Sequence, residues 1–522
     1  MSNAARIRRN TIGDVIERAS ARFGDRVALS FAGRDWSFRD IDVAAGRIAR
    51  RLHELGLRHG DRLAAYGRNS DAYVLLWLAC TRAGLMHVPV NYALTGEELG
   101  YIIRQSGAAG LVYDGELEAH IQPARAEVAV RHFGRFVGGD GLDILAVARD
   151  PRIASDFDTE IAETDIAQIV YTSGTTAAPK GAAMTHQAMI AQYFSCIYGM
   201  EYRGEDRHIA ALPLYHTAQM HAFLMPALMT GAWQLLLPAP APDAVLAAIE
   251  EHRISSFFAP PTVWIGLLRH PDFDRRDLSS LRRIYYGASI MPVPVLEELR
   301  ARLPQAAPYN CYGQTEIAPL ATILPPADHD ARPGSVGKPA LNVRTRVVDA
   351  EMNDVPPGTH GEIVHRSPHL LVGYWDKPEE TEAAFAGGWF HSGDVGYFDA
   401  DGFLYIVDRI KDVINTGGVL VASRDVEEAL FTHPAVSEVA VIALPDPKWI
   451  EAIAAVVVLR AGAVADEAAL LAHARLHLAP FKLPKRIIFA EDLPRNTAGK
   501  LLKRELRRIH GGADAPWGRT AG

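Results

Sequence analysis

The order of segments in the first ninety residues constrains this chain more than any other feature. Ile12, Val15, Ile16 and Ala19 recur at helical spacing, and Gly24-Asp25-Arg26 then turns into the apolar run Val27-Ala28-Leu29-Ser30. The pattern repeats. A helix carrying Ile48, Leu52 and Leu55 stops at Gly56, and Gly60-Asp61-Arg62 opens Leu63-Ala64-Ala65-Tyr66. A third helix, Tyr73 to Ala83, stops at Gly84 before Met86-His87-Val88-Pro89-Val90. Strands separated by helices imply parallel pairing with helices on the faces, which predicts an α/β fold.

The texture changes near Asp408-Arg409. Upstream, Pro333-Gly334, Pro356-Pro357-Gly358 and Gly387-Gly388 punctuate short strands and turns. Downstream come a helix from Ser423, strands at Val439–Ile442 and Ala454–Leu459, and a helix over Glu467–Leu478. Ser423 suits an N-cap, with Asp425 and Glu427 in the first turn where the helix dipole favours acids. About 110 residues suffice for a small α+β domain. The expected division is therefore a large N-terminal unit, 1–407, and a small C-terminal one, 408–522.

Composition narrows the function. The chain has 522 residues, with 54 Lys and Arg against 62 Asp and Glu, a net charge of −8. A nucleic-acid-binding surface would be concentrated and basic, so that class is set aside. Three distant cysteines, Cys80, Cys196 and Cys311, form neither a disulfide framework nor a CxxC metal site and read as reduced thiols of a cytoplasmic protein. No export signal is visible. The most apolar stretch, Ala222 to Leu237, is broken by Pro226 and Gly231 and falls short of the roughly 20 residues of a spanning helix. A soluble protein is expected.

The strongest local signal is Tyr171-Thr172-Ser173-Gly174-Thr175-Thr176-Ala177-Ala178-Pro179-Lys180-Gly181. The apolar Ile169-Val170 feeds a loop of hydroxyls, glycines and one lysine. Such a loop can wrap a polyphosphate with backbone N–H groups and hydroxyls while lysine supplies charge. The Walker A spacing is absent. As a bare linker it would need neither the lysine nor the proline.

This segment resembles the phosphate loop of the adenylate-forming superfamily, which holds acyl- and aryl-CoA synthetases, adenylation domains and luciferases. Five further motifs follow in that family's order. They are Pro213-Leu214-Tyr215-His216-Thr217, Tyr312-Gly313-Gln314-Thr315-Glu316, Trp389-Phe390-His391-Ser392-Gly393-Asp394, Asp408-Arg409-Ile410-Lys411-Asp412 and Pro494-Arg495-Asn496-Thr497-Ala498-Gly499-Lys500. One alone would say little; six in order are specific.

The resemblance implies a carboxylate attacking the α-phosphate of ATP to give acyl-AMP and pyrophosphate, then a thiol, usually that of coenzyme A, displacing AMP. It implies a large multi-sheet α/β domain and a small mobile α+β domain hinged at Asp408. Lys500 would align carboxylate and α-phosphate and stabilise the transferring group. Glu316, with Thr175, would hold Mg²⁺, since this hard cation takes oxygen ligands. Thr172, Ser173, Gly174, Thr175, Thr176, Lys180 and Thr315 would bind phosphate. Asp394 would accept from the ribose hydroxyls, with Arg409 beside it. Tyr312 and Gly313, with the turn Gly287-Ala288, would line the adenine. His216 would lie near the carboxylate, and Gly417-Gly418 beside the pantetheine tunnel. Each residue has a plainer reading as a solvated charge, a turn former or a core ring.

Three positions depart from the family pattern. Ala177 stands where glycine is usual, Tyr286 occupies a common glycine position and would narrow the pocket, and Val419–Ser423 replaces a more polar segment. From His208 to Pro242 there is no Asp, Glu, Lys or Arg. The plain reading is a buried helix. By resemblance it borders the acid pocket, where apolar lining suits a fatty or aromatic acid, because an amino acid's ammonium would want a buried acidic partner. The expected activity is an ATP-dependent acyl-CoA ligase for a fatty acid, with ATP, Mg²⁺ and CoA. An acyl-AMP ligase serving a carrier protein, a one-half-reaction enzyme and a non-catalytic nucleotide binder are the alternatives, and a homodimer is left open.

Overall fold

The computed structural model describes residues 6–125, 129–139, 141–172, 178–410, 412–416, 419–496 and 501–511. Its fold is α/β, a large N-terminal multi-sheet domain followed by a small C-terminal one. The amphipathic helix Ile12–Phe23 is capped by Thr11, whose side chain accepts from the N–H of Asp14 while Asp14 reaches back to the Thr11 N–H. The helix Phe38–Glu54 starts with the same reciprocal cap between Ser37 and Asp40. The helix Asp71–Ala83 ends at Gly84 in the left-handed conformation, so these boundaries obey local chemistry.

Two large sheets form the first domain. In the eight-stranded one, Ile166–Thr172, Met86–Val90, Arg62–Tyr66, Gly110–Tyr113, His132–Arg135 and Leu142–Asp143 run parallel, with Lys180–Thr185 and Gly373–Tyr374 added antiparallel at one edge. The nine-stranded sheet takes Ala307–Gly313, Arg283–Gly287, Ser256–Ala259, Arg207–Ala210, Trp233–Leu236 and Val27–Phe31 in parallel. The first strand of the chain pairs antiparallel with its neighbour Arg34–Ser37 on one side and parallel with the distant Trp233–Leu236 on the other. A four-stranded antiparallel sheet, Arg344–Val348, Gly361–Arg366, Phe390–Phe398 and Leu404–Arg409, completes the domain.

The small domain is a five-stranded sheet with the helices Ser423–Phe431 and Glu467–His477. Ser423 is not the cap of its helix: Ala422 holds that place and Ser423 is the first helical residue. The capping acceptor comes from farther away. The Asp408 carboxylate accepts from the Ser423 N–H at 2.8 Å and from its hydroxyl at 2.7 Å. Phe431, at the other end of this helix, is buried with Val295, Leu296 and Leu299 of the large domain. Among the described residues no helix is long and apolar enough to cross a membrane.

Candidate functional site

Tyr312 is the penultimate residue of the strand Ala307–Gly313, and its hydroxyl donates to Asp394 Oδ2 at 2.7 Å. Asp394 is 3% exposed, in Phe390–Phe398, and its cross-strand partner is Arg409. The Arg409 Nε lies 2.5 Å from Asp394 Oδ1. Burial works against the Arg409 charge, but Asp394, Tyr312 and Glu316 outweigh it and hold the guanidinium above its usual range. Burial, and after it the Asp394 carboxylate, hold the Tyr312 phenol well above the ordinary value, so it stays a neutral donor. Gly393, at φ +69, supplies the left-handed kink that the motif needs before Asp394.

Four residues beyond Tyr312, Glu316 lies in the short turn Thr315–Ile317 and is 9% exposed. Its Oε1 accepts from the Tyr374 hydroxyl at 3.2 Å and from the Thr172 hydroxyl at 3.4 Å. Thr172 and Lys180 face each other across the two strands that flank the phosphate-loop motif. Lys180 Nζ sits 4.4 Å from the centre of the Tyr374 ring, which brings a cation to the same place. Thr315 Oγ1 and Thr217 Oγ1 are 3.3 Å apart. Carboxylate, hydroxyls and ammonium from both large sheets therefore converge. Tyr374 was not singled out from sequence; it arrives through the edge strand Gly373–Tyr374, which is too short to carry a pattern.

Asn69 builds the turn that presents His216. Its side chain accepts from the Leu214 N–H at 2.8 Å and donates to the carbonyls of Leu212 and Leu237 at 2.9 and 3.1 Å. His216 is half-buried, its ring 4.5 Å from that of Tyr215. Gly287 faces the strand that ends at Gly313, and a Cβ on it would lie 2.1 Å from the Cys311 carbonyl oxygen, so only glycine fits. Ala288, exposed, takes φ +62. Tyr286 does not narrow the site: strand alternation turns it into the opposite layer, where it is fully buried and its hydroxyl meets His329 Nε2 at 3.0 Å.

Ser173, Gly174, Thr175, Thr176 and Ala177 lie outside the described residues, as do Gly417, Gly418 and Lys500. The uncharged stretch after His208 forms a π-helical segment, Ala218–Leu224, and a short helix, Met225–Thr230. Most of its apolar side chains pack into the core, and Phe223 stacks on Phe258 at 3.9 Å. A separate cleft of about 550 Å³, bordered by Arg26, Asp35, Arg207 and Trp233, includes no motif residue.

The family model of AMP-binding enzymes matches residues 16–375, and that of the AMP-binding enzyme C-terminal domain matches residues 425–500. The chain belongs to the AMP-binding enzymes. It is 35% identical over 484 residues to a feruloyl-CoA synthase of Amycolatopsis sp, covering 93% of this chain and 96% of that protein. To the long-chain-fatty-acid–CoA ligase of Bacillus subtilis (strain 168) it is 32% identical over 530 residues, 95% and 94% of the two chains. The solved structure of ATP-bound MatB from Rhodopseudomonas palustris superposes with a TM-score of 0.88 at 31% identity, covering 96% of this chain and 99% of that one. This AMP-binding enzyme thus stands among the AMP-forming acid–CoA ligases.

Proposed function

We propose that the protein joins an apolar carboxylic acid, a fatty acid first among candidates, to CoA through an acyl-AMP intermediate. One observation carries the reading. Tyr312 and Glu316, the two ends of one short motif, each gather a distinct group of polar side chains. Tyr312, Asp394 and Arg409 offer a ring, a carboxylate and a guanidinium suited to adenosine. Glu316, Thr172, Thr315, Lys180 and Tyr374 offer the groups suited to phosphates.

A Mg²⁺ ion fits this phosphate end. Glu316 is a hard oxygen ligand flanked by hydroxyls, and among the described residues no group of three His, Cys, Asp or Glu could hold a metal by itself. Such a cation would take its remaining oxygen ligands from phosphate and water. When bound it neutralises phosphate charge. Glu316 would hold it, with Thr175; Lys180 adds charge beside it, and Asp394 keeps the ribose in register. His216, on the turn fixed by Asn69, takes the carboxylate side. Lys500 is assigned the alignment of carboxylate and α-phosphate, and Asp408 the hinge between units 1–407 and 408–522.

The acid is the least constrained part. The absence of Asp, Glu, Lys and Arg between His208 and Pro242 favours an uncharged acyl group over an amino acid or a dicarboxylate. The curated relatives' acids include ferulate and long-chain fatty acids, so aromatic acids are the second candidates. Val419 and the 69%-exposed Leu420 favour one alternative, a carrier protein in place of CoA. The test is a panel of fatty, aromatic and dicarboxylic acids with ATP and Mg²⁺, following pyrophosphate and thioester separately. Both products with a fatty acid are expected. Pyrophosphate without CoA thioester would replace this reading by the carrier-protein one.

A further inference from the structure

An unbroken chain of hydrogen bonds runs through the apolar core between the two large sheets. The Tyr193 hydroxyl and His221 Nδ1 are 2.8 Å apart, His221 Nε2 and Gln168 Oε1 2.9 Å, and Gln168 Nε2 and His87 Nδ1 3.0 Å. All four side chains are at most 1% exposed. Burial pushes both imidazoles down to about 3, so both are neutral. With the Gln168 amide placed this way, Tyr193 donates to His221, His221 to Gln168, and Gln168 to His87.

Three members, Gln168, Tyr193 and His221, are the buried roots of different parts of the site. Gln168 lies in Ile166–Thr172, the strand that delivers Thr172, and His87 is its cross-strand partner. Tyr193 stands on the helix His186–Gly199, which follows the strand of Lys180. His221 lies in the π-helical segment directly after His216 and Thr217, on the side of the nine-stranded sheet. In the amide orientation that satisfies both neighbours, Gln192 donates to the carbonyls of His221 at 2.9 Å and of Ala318 at 3.1 Å, which ties the chain to the turn of Glu316. Apolar packing fixes how close two sheets come but not their sliding; hydrogen bonds are directional and fix both.

We propose that His221 and Gln168 are positioning residues, a polar seam that sets His216, Thr315 and Glu316 on one sheet against Thr172 and Lys180 on the other. The seam rests on the ligase reading above. It acts on the step that needs groups of both sheets at once, attack of the carboxylate on the α-phosphate, where small misplacements are costly.

The experiment compares three variants of the whole chain. His221→Leu removes both bonds of His221, His221→Gln retains an amide able to donate to Gln168, and Ser195→Ala, on the helix of Tyr193, removes a buried bond to His369 outside the seam. Pyrophosphate release at saturating ATP and acid is expected to fall about 10²-fold in His221→Leu. It should stay within about fivefold of wild type in His221→Gln and be unchanged in Ser195→Ala. ATP affinity by calorimetry is expected to fall about tenfold in His221→Leu alone. Folded His221→Leu with wild-type turnover and ATP affinity, or an equal loss in Ser195→Ala, would overturn the seam. Should His221→Leu not fold, Gln168→Asn, which shortens the central amide, carries the same expectations. If wild type releases no pyrophosphate with any acid, the ligase reading fails, and the ATP affinities still decide the seam.

Discussion

The hydroxyl of Tyr312 donates to the carboxylate of Asp394 across 2.7 Å, joining a strand of the nine-stranded sheet to a strand of the four-stranded one. The carboxylate also pairs with Arg409, yet two oxygens offer about four acceptor positions, which leaves room for ribose hydroxyls. Asp394→Ala is expected to raise KM for ATP roughly 10- to 100-fold, the worth of hydrogen bonds to a charged group. Tyr312→Phe keeps the ring and loses one bond, so about a fivefold rise is expected. Steady-state kinetics in ATP separates the two.

Glu316→Gln retains size and one acceptor but loses the charge. Half-maximal activity should then require a higher Mg²⁺ concentration, with acid KM little changed. A Mg²⁺ titration of pyrophosphate release reads this directly, and an unchanged titration curve would remove Glu316 from the metal's ligands.

Lys500→Ala is expected to abolish nearly all acyl-AMP formation and to spare thioester formation from supplied acyl-AMP. Equal loss of both half-reactions would refute the role assigned to this lysine.

Gly287→Ala places a methyl against the Cys311 carbonyl in the next strand. The two strands must then separate or shift, moving Tyr312 at the end of one of them. ATP binding is expected to weaken while the neighbouring exposed Ala288→Gly variant binds normally; calorimetry distinguishes them.

Seven buried histidines set the response to acid. Burial pushes His87 and His221 down to about 3, and His186, His208, His329, His365 and His369 to about 4, from 6.5. Between those values the unfolded chain binds more protons than the folded one, so stability falls as pH drops from 6.5 towards 4. Above pH 6.5 this contribution is complete and flat. Urea midpoints at pH 7, 6, 5 and 4 should show a decline that begins near 6.5, before most carboxylates titrate.

Local chemistry was legible in the sequence and long-range contacts were not. The apolar spacing of Ile12, Val15, Ile16 and Ala19 marks a helix because the pattern lies within one element, and the helix Ile12–Phe23 stands there. The motif Tyr312-Gly313-Gln314-Thr315-Glu316 could be matched to a family pattern because its residues are contiguous in the chain. Tyr374 and the seam of His87, Gln168, Tyr193 and His221 left no such trace; their partners lie in other strands and helices. Val27–Ser30 read correctly as a strand, yet its partner sheet depends on Trp233–Leu236, two hundred residues on. Ser423 shows the same limit at short range: its composition suited a cap, but the cap is supplied by Asp408.

That last contact has a mechanical consequence. Asp408 lies in the last strand of the four-stranded sheet, Leu404–Arg409, and its carboxylate grips the start of the first helix beyond it. That helix is thus fastened to this strand by two hydrogen bonds. With Asp408 as the hinge proposed above, a turn that carries the helix away would have to open both hydrogen bonds together, as a latch does.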